Sequence, residues 1–108
     1  MSITVHNKLV RDRIPDIIRA NGDTAVTRIL DRDEHREALY AKLDEESGEL
    51  RAAEPGQRIG ELADLLEVVH ALGRSYGYTP AEIAFAAGAK RGLRGGFDDR
   101  IYLEHTTP

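Results

Sequence analysis

Hydrophobic residues recur every three or four positions along most of the chain, which is the spacing of one face of an α-helix. Helix breakers interrupt this pattern at Glu54-Pro55-Gly56 and around Gly77. The pattern therefore predicts four helices, which lie within residues 7–20, 31–53, 57–76 and 79–92.

Residues typical of helix ends indicate where these helices begin. Pro15 can open the first helix, because a proline in the first turn loses no hydrogen bond. Either Asp31 or Asp33 can cap the second helix with its side-chain oxygen. Thr79 is the predicted N-cap of the fourth helix, and Pro80 is its predicted first residue.

Two segments outside the helices favour extended backbone. Residues 24–30 are rich in β-branched side chains, and residues 97–105 place Tyr102 between Ile101 and Leu103. The two segments could pair as an accessory two-stranded ribbon that the helices would support. The predicted fold is thus an all-α, small four-helix bundle-like domain, a single domain over residues 1–108, whose core is completed by dimerisation.

The composition narrows the class of protein. The chain has 108 residues, 15 Lys and Arg, 19 Asp and Glu, and a formal net charge of -4. It contains no cysteine, which excludes disulfides and thiolate metal sites and fits a reducing compartment, so we expect a cytoplasmic protein. No apolar run approaches the roughly 20 residues of a membrane span, and the first residues lack the order of a signal peptide.

The charges are unevenly distributed along the chain. Residues 31–67 hold twelve acidic and five basic residues, whereas residues 1–20 and 90–100 each hold four basic and two acidic ones. Solvated helix faces alone would explain such runs of charge. The positions of the acidic residues, however, indicate chemistry.

Carboxylates interrupt the apolar face of the second helix. At about 100° per residue, Leu39, Leu43 and Leu50 fall within about 40° of one another. Glu46 falls inside this stripe, and Glu49 lies one turn further and about 60° to one side. Carboxylates on an apolar face are costly unless something neutralises them.

The third helix repeats this arrangement with Glu61 and Asp64, three positions apart. If the two helices are antiparallel neighbours, the two acidic pairs can meet as a four-carboxylate cage, with Glu45 at its border. A cage of oxygen ligands suits a hard divalent cation, with Mg²⁺ as the first choice and Mn²⁺ as the second.

The same carboxylates are compatible with two further arrangements. They could form surface salt bridges with Lys42, Arg51 and Arg58. A ferritin-like di-iron centre takes a Glu-x-x-His from each of two helices, and this chain offers one candidate, Glu67 with His70. Without cysteine or a histidine pair at helical spacing, we expect no zinc site.

Two groups of motifs resemble a known enzyme family. Glu45-Glu46-Ser47-Gly48-Glu49, followed after eleven residues by Glu61-Leu62-Ala63-Asp64, resembles the signature of the all-α nucleoside triphosphate pyrophosphohydrolases, the MazG-like superfamily. Asn7-Lys8-Leu9-Val10-Arg11-Asp12-Arg13-Ile14-Pro15 and Arg94-Gly95-Gly96-Phe97 resemble a small branch described as phosphoribosyl-ATP pyrophosphohydrolase-like. The resemblance covers nearly the whole chain.

The resemblance implies roles for the acidic residues. Glu46, Glu49, Glu61 and Asp64 would bind the metal, and Glu45 would be an auxiliary carboxylate that orients water. Glu45, Glu46 and Glu49 would then form the catalytic set. The family hydrolyses nucleoside triphosphates between the α and β phosphates, which requires cations, an oriented water and positioned phosphates.

Basic residues near both ends of the chain are candidates for phosphate binding. We expect Lys90 and Arg94, with Lys8 or Arg11, to hold the β and γ phosphates, since guanidinium forks match phosphate oxygens and lysine supplies a point charge. As alternatives, Lys90 complements the negative end of its helix, and Arg11 is merely solvated.

The expected partners are a nucleotide substrate and further copies of the chain. Negative net charge and short basic segments argue against duplex nucleic acid. The resembled family builds substrate pockets between protomers, so we expect a homodimer or a higher homo-oligomer. Five aromatic residues are candidates for stacking on a base, although core packing would also explain them: Tyr40, Tyr76, Tyr78, Phe85 and Tyr102.

Three functions follow from these observations. Hydrolysis of a non-standard or surplus nucleoside triphosphate, in nucleotide-pool cleaning, is the first. Hydrolysis of phosphoribosyl-ATP in histidine biosynthesis is the alternative within the same chemistry. A non-catalytic helical interaction module is the third, although burying four acids for packing alone would be costly.

Overall fold

Four α-helices form nearly all of the regular structure. The computed structural model describes residues 2–108. Its elements are α1 (Ile14–Ala20), α2 (Arg32–Ala52), a short 3-10 helix (Pro55–Gln57), α3 (Arg58–Ser75) and α4 (Pro80–Arg94). The predicted all-α class is confirmed. No helix in this described range has the length and apolar character needed to cross a bilayer.

The helix ends follow from local side-chain chemistry. Asp31, rather than Asp33, caps α2: its carboxylate accepts a hydrogen bond from the Glu34 N–H at 2.9 Å. Thr79 caps α4 in the same way through the Glu82 N–H at 3.1 Å. In both boxes the glutamate also accepts from the N–H of the capping residue, which satisfies donors that a helix start leaves unpaired.

Helices α2 and α3 pack as an antiparallel pair. Arg36, near the start of α2, donates a hydrogen bond of 2.6 Å to the carbonyl oxygen of Ser75 at the end of α3. One turn along α2, the hydroxyls of Tyr40 and Tyr76 lie 2.6 Å apart. Helix α4 contacts α3 but not α2. The α2–α3 pair is therefore the body of the protomer, and α4 is attached to one side of it.

The buried core lies between α2 and α3 and is small. Leu39 from α2 and Val68 and Leu72 from α3 are the buried apolar side chains of the described residues. Three partly buried residues pack against them: Leu9, Leu43 and Ala71. Leu39 and Leu43 belong to the predicted apolar stripe of α2, so the stripe faces α3.

The predicted two-stranded ribbon is wrong. Residues 24–30 form neither helix nor strand, and Val26 and Ile29 are each 95% exposed. Residues 97–105 contain a bend and a turn, and no strand occurs anywhere between residues 2 and 108. β-branched residues stabilise a strand through packing against neighbouring strands and a supporting surface, and here neither segment has such a surface.

The protomer exposes more surface than a compact chain of its size. Its accessible surface is 9807 Å², against about 6,000 Å² for a folded monomer of this mass. Its radius of gyration is 18.5 Å, against roughly 13 Å for a compact domain of this length. Helix α4 contributes to the excess, because none of its residues is buried.

Leu39→Ala should lower the free energy of unfolding by about 2–5 kcal/mol, because it opens a cavity where α2 meets α3. Leu39→Met keeps the volume and should cost less than about 1.5 kcal/mol. Chemical denaturation followed by circular dichroism measures both changes. Equal losses for the two variants would show that Leu39 does not pack as described.

Candidate metal centre

Five carboxylates of α2 and α3 converge in two overlapping groups. Glu45, Glu46 and Glu49 form the first group, and Glu46, Glu61 and Asp64 form the second. Within each group, one carboxylate oxygen of every member lies within 4.8 Å of those of the other members. Glu46 belongs to both groups. We call these five residues the carboxylate cluster.

Helical spacing and the antiparallel packing together produce this cluster. Glu46 and Glu49 on α2 are three positions apart, as are Glu61 and Asp64 on α3, so each pair projects from one side of its helix. Residues 53–57 connect the helices and place the end of α2 beside the start of α3. The same approach that packs the core therefore brings the two pairs together.

Glu46 is the buried member of the cluster. Its side chain is 8% exposed, whereas Glu45, Glu61 and Asp64 are half-buried and Glu49 is exposed. Burial raises the pKa of Glu46, the negative charge of Glu49 raises it further, and Lys42 partly offsets both effects. The structure thus holds a carboxylate where its charged form is unfavourable without a cation.

Two cationic side chains touch the carboxylate cluster. Lys42 Nζ lies 3.2 Å from Glu45 Oε2 and 3.5 Å from Glu46 Oε1. Arg11 Nη2 donates to Asp64 Oδ1 at 2.7 Å. Sequence reasoning did not select Lys42 as a site residue, although its spacing of three and four positions from Glu45 and Glu46 signals contact on a helix.

The structure brings only some of the predicted site residues together. All five predicted carboxylates lie in the cluster, but Glu49 groups with Glu45 and Glu46 and not with Glu61 and Asp64. The predicted single cage is therefore two groups that share one residue.

The predicted phosphate-binding residues are divided between two parts of the protomer. Arg11 contacts the cluster through Asp64. Lys8, Lys90 and Arg94 are exposed, and none of them forms an ion pair with a described carboxylate. Because α4 does not contact α2, one protomer alone does not carry Lys90 and Arg94 to the α2 face of the cluster.

The donors of the cluster fit a hard divalent cation. Glu46 Oε2 and Glu61 Oε2 are buried and have no hydrogen-bond partner within residues 2–108. Buried polar atoms without a partner are uncommon in folded proteins and call for an explanation. Carboxylate oxygens are the ligands that Mg²⁺ and Mn²⁺ prefer. The second group, which contains both unpartnered oxygens, is therefore the better candidate to hold an ion.

Part of this chain is similar to a protein of Mycolicibacterium smegmatis (strain ATCC 700084 / mc(2)155) that is described as uncharacterized. The two are 64% identical over 47 residues, which are 44% of this chain and 48% of the relative. The match therefore spans about half the length of that relative. No protein-family model matches the chain, and no solved structure matches it.

The raised pKa of Glu46 predicts a pH dependence of stability in chelator-treated protein. The folded state favours the protonated carboxyl, so the free energy of unfolding should fall as the pH rises from the ordinary pKa of 4.5 through the raised value. Glu46→Gln cannot ionise and should lack this part of the decline. At neutral pH it should be more stable than wild type by about 1–3 kcal/mol, the usual cost of an unpartnered buried polar group.

Urea denaturation at a series of pH values measures this difference. Glu104→Gln, in the exposed C-terminal segment, is the control and should follow the wild-type curve. Parallel curves for wild type and Glu46→Gln would contradict the burial of a destabilising charge.

Proposed function

We propose that this protein is a Mg²⁺-dependent nucleoside triphosphate pyrophosphohydrolase of the MazG-like superfamily. In the reaction, the oxygen of a water molecule bonds to phosphorus and the bond between the α and β phosphates breaks. A nucleoside monophosphate and pyrophosphate leave. The main support is that both acidic motifs converge in one cluster that retains buried, unpartnered carboxylate oxygens. The proposed role is removal of non-standard or surplus nucleotides in the cytoplasm.

The carboxylates have distinct roles in this proposal. Glu46, Glu61 and Asp64 hold the divalent ion, with Glu49 as a further ligand on the exposed side. When bound, Mg²⁺ or Mn²⁺ would stabilise the negative charge that develops on the phosphate oxygens. Glu45, which pairs with Lys42 at 3.2 Å, orients the attacking water.

A triphosphate also needs positive groups, because the carboxylates repel it. Arg11 is placed for this role at the edge of the cluster, with 58% of its side chain exposed. Exposed ion pairs are weak, so Arg11 can exchange Asp64 for a phosphate oxygen when a metal ion binds Asp64. Lys8, Lys90 and Arg94 stay predicted phosphate ligands.

We also propose that the active form is a homodimer. Ile59, Leu62, Leu66 and Val69 are exposed along α3 with spacings of three, four and three residues, which is the seam pattern of packed helices. The surface in excess of a compact monomer is about 3,800 Å² per chain, which exceeds what each partner contributes to a large obligate interface. A second copy packed on α3 would bury this stripe.

The enzymatic proposal predicts Mg²⁺-dependent release of pyrophosphate. The substrates to compare are standard nucleoside triphosphates, oxidised or otherwise damaged ones, and phosphoribosyl-ATP. Glu61→Gln should lower the rate by at least about 100-fold, since replacing even the groups that support metal ligands costs about 10–100-fold. Glu67→Gln, on the same helix but outside the cluster and paired with Arg74, is the matched control and should retain the rate.

A coupled assay for pyrophosphate, with and without a chelator, gives these rates. Release from phosphoribosyl-ATP alone would replace the nucleotide-pool role with the histidine-biosynthesis reaction. If folded wild-type protein released pyrophosphate from no substrate, the enzymatic proposal would fail and the interaction module would be favoured.

The dimer proposal predicts that Leu66→Glu raises the dimer Kd at least about 10-fold, because it buries a charge without a partner at the seam. Leu103→Glu adds the same charge to the irregular C-terminal segment and should leave the Kd unchanged. Sedimentation equilibrium measures both constants. A monomeric wild type, or a Leu66→Glu protein that dimerises like wild type, would rule out this seam.

A further inference from the structure

Two side-chain cations serve the carboxylate cluster, and they differ in burial. The Lys42 side chain is 18% exposed and its ammonium contacts two carboxylates, those of Glu45 and Glu46. The Arg11 side chain is 58% exposed and contacts one, that of Asp64. An exposed pair exchanges with solvent or ligands at little cost, whereas removing one partner of a buried pair is strongly unfavourable. Lys42 is therefore the resident cation of the cluster.

The contacts of Lys42 fall on one of the two groups. Glu45 and Glu46 are both members of the first group, and Lys42 forms no ion pair with Glu61 or Asp64. The unpartnered buried oxygens, Glu46 Oε2 and Glu61 Oε2, belong to residues of the second group. The first group thus already has a cation, and the second group still has free ligand atoms.

The charge balance agrees with this division. Five ionised carboxylates with Lys42 and Arg11 leave an excess of three negative charges. One divalent ion reduces this excess to a single charge, while a second would make the cluster positive. A divalent ion at the first group would also leave the Lys42 ammonium half-buried beside a like charge, which is unfavourable.

We propose that Lys42 acts as a fixed monovalent cation that takes the place of a second divalent ion at Glu45, Glu46 and Glu49. Without nucleotide, each chain then binds one divalent ion, at Glu46, Glu61 and Asp64. This inference rests on the metal-binding part of the proposed function and does not depend on the substrate or on turnover.

The test is the number of Mn²⁺ ions bound per chain at saturation, measured without nucleotide by electron paramagnetic resonance of the free ion. Wild type should bind one ion, and Lys42→Met should bind two because the first group loses its cation. Lys42→Arg keeps the positive charge and should bind one. Lys90→Met removes a lysine of the exposed α4 and should also bind one.

Each outcome decides the inference. Two ions in wild type, or one ion in folded Lys42→Met, would overturn it. If Lys42→Met did not fold, Lys42→Gln would replace it, and the wild-type number would still be decisive. Absence of Mn²⁺ binding in all folded variants would overturn this inference together with the proposed metal centre. The expected numbers without pyrophosphate release would support the role of Lys42 and contradict the proposed enzyme alone.

Discussion

The buried carboxylate of Glu46 is the constraint on which the rest of this structure depends. It lies in the same stripe of α2 as Leu39 and Leu43, so α2 cannot pack its apolar face on α3 without burying an acid. One oxygen of this acid contacts Lys42 and the other has no partner. Packing of the hairpin and affinity for a cation are therefore coupled, because any ion that binds the folded cluster stabilises the fold by mass action.

The small core makes this coupling more important. Three buried apolar side chains join α2 and α3, and α4 adds none. At about 25 cal/mol per Å² of apolar surface, such a core contributes little against the entropy of ordering four helices. The polar contacts of Arg36 with Ser75 and the α2 and α4 capping boxes hold the ends of the helices, but they are mostly exposed. An ion at the cluster and a partner on α3 would each supply stabilisation that the isolated protomer lacks.

Local features of the fold could be predicted from the sequence, and long-range ones could not. Asp31, Thr79 and Pro80 mark helix ends because a cap acts within one turn of its own residue. The convergence of the acidic pairs followed from helical spacing and a short connection. The ribbon failed because β-branched residues report a preference that only a neighbouring strand realises. The contact of Arg11 with Asp64 joins residues 53 positions apart, and no local pattern encodes it.

The distribution of charge acquires a structural meaning that its order along the chain did not show. The N-terminal basic segment meets the acidic middle through Arg11, whereas Lys90 and Arg94 lie on a helix that contacts α3 alone. A phosphate held at the cluster can therefore reach Arg11 within one protomer. It reaches Lys90 and Arg94 only if α4 moves or if a second copy supplies them. Because the exposed stripe of α3 is a ready surface for a second copy, the phosphate role of α4 and the dimer are one question: a partner that covers the stripe would also bring a second set of these two cations towards the cluster.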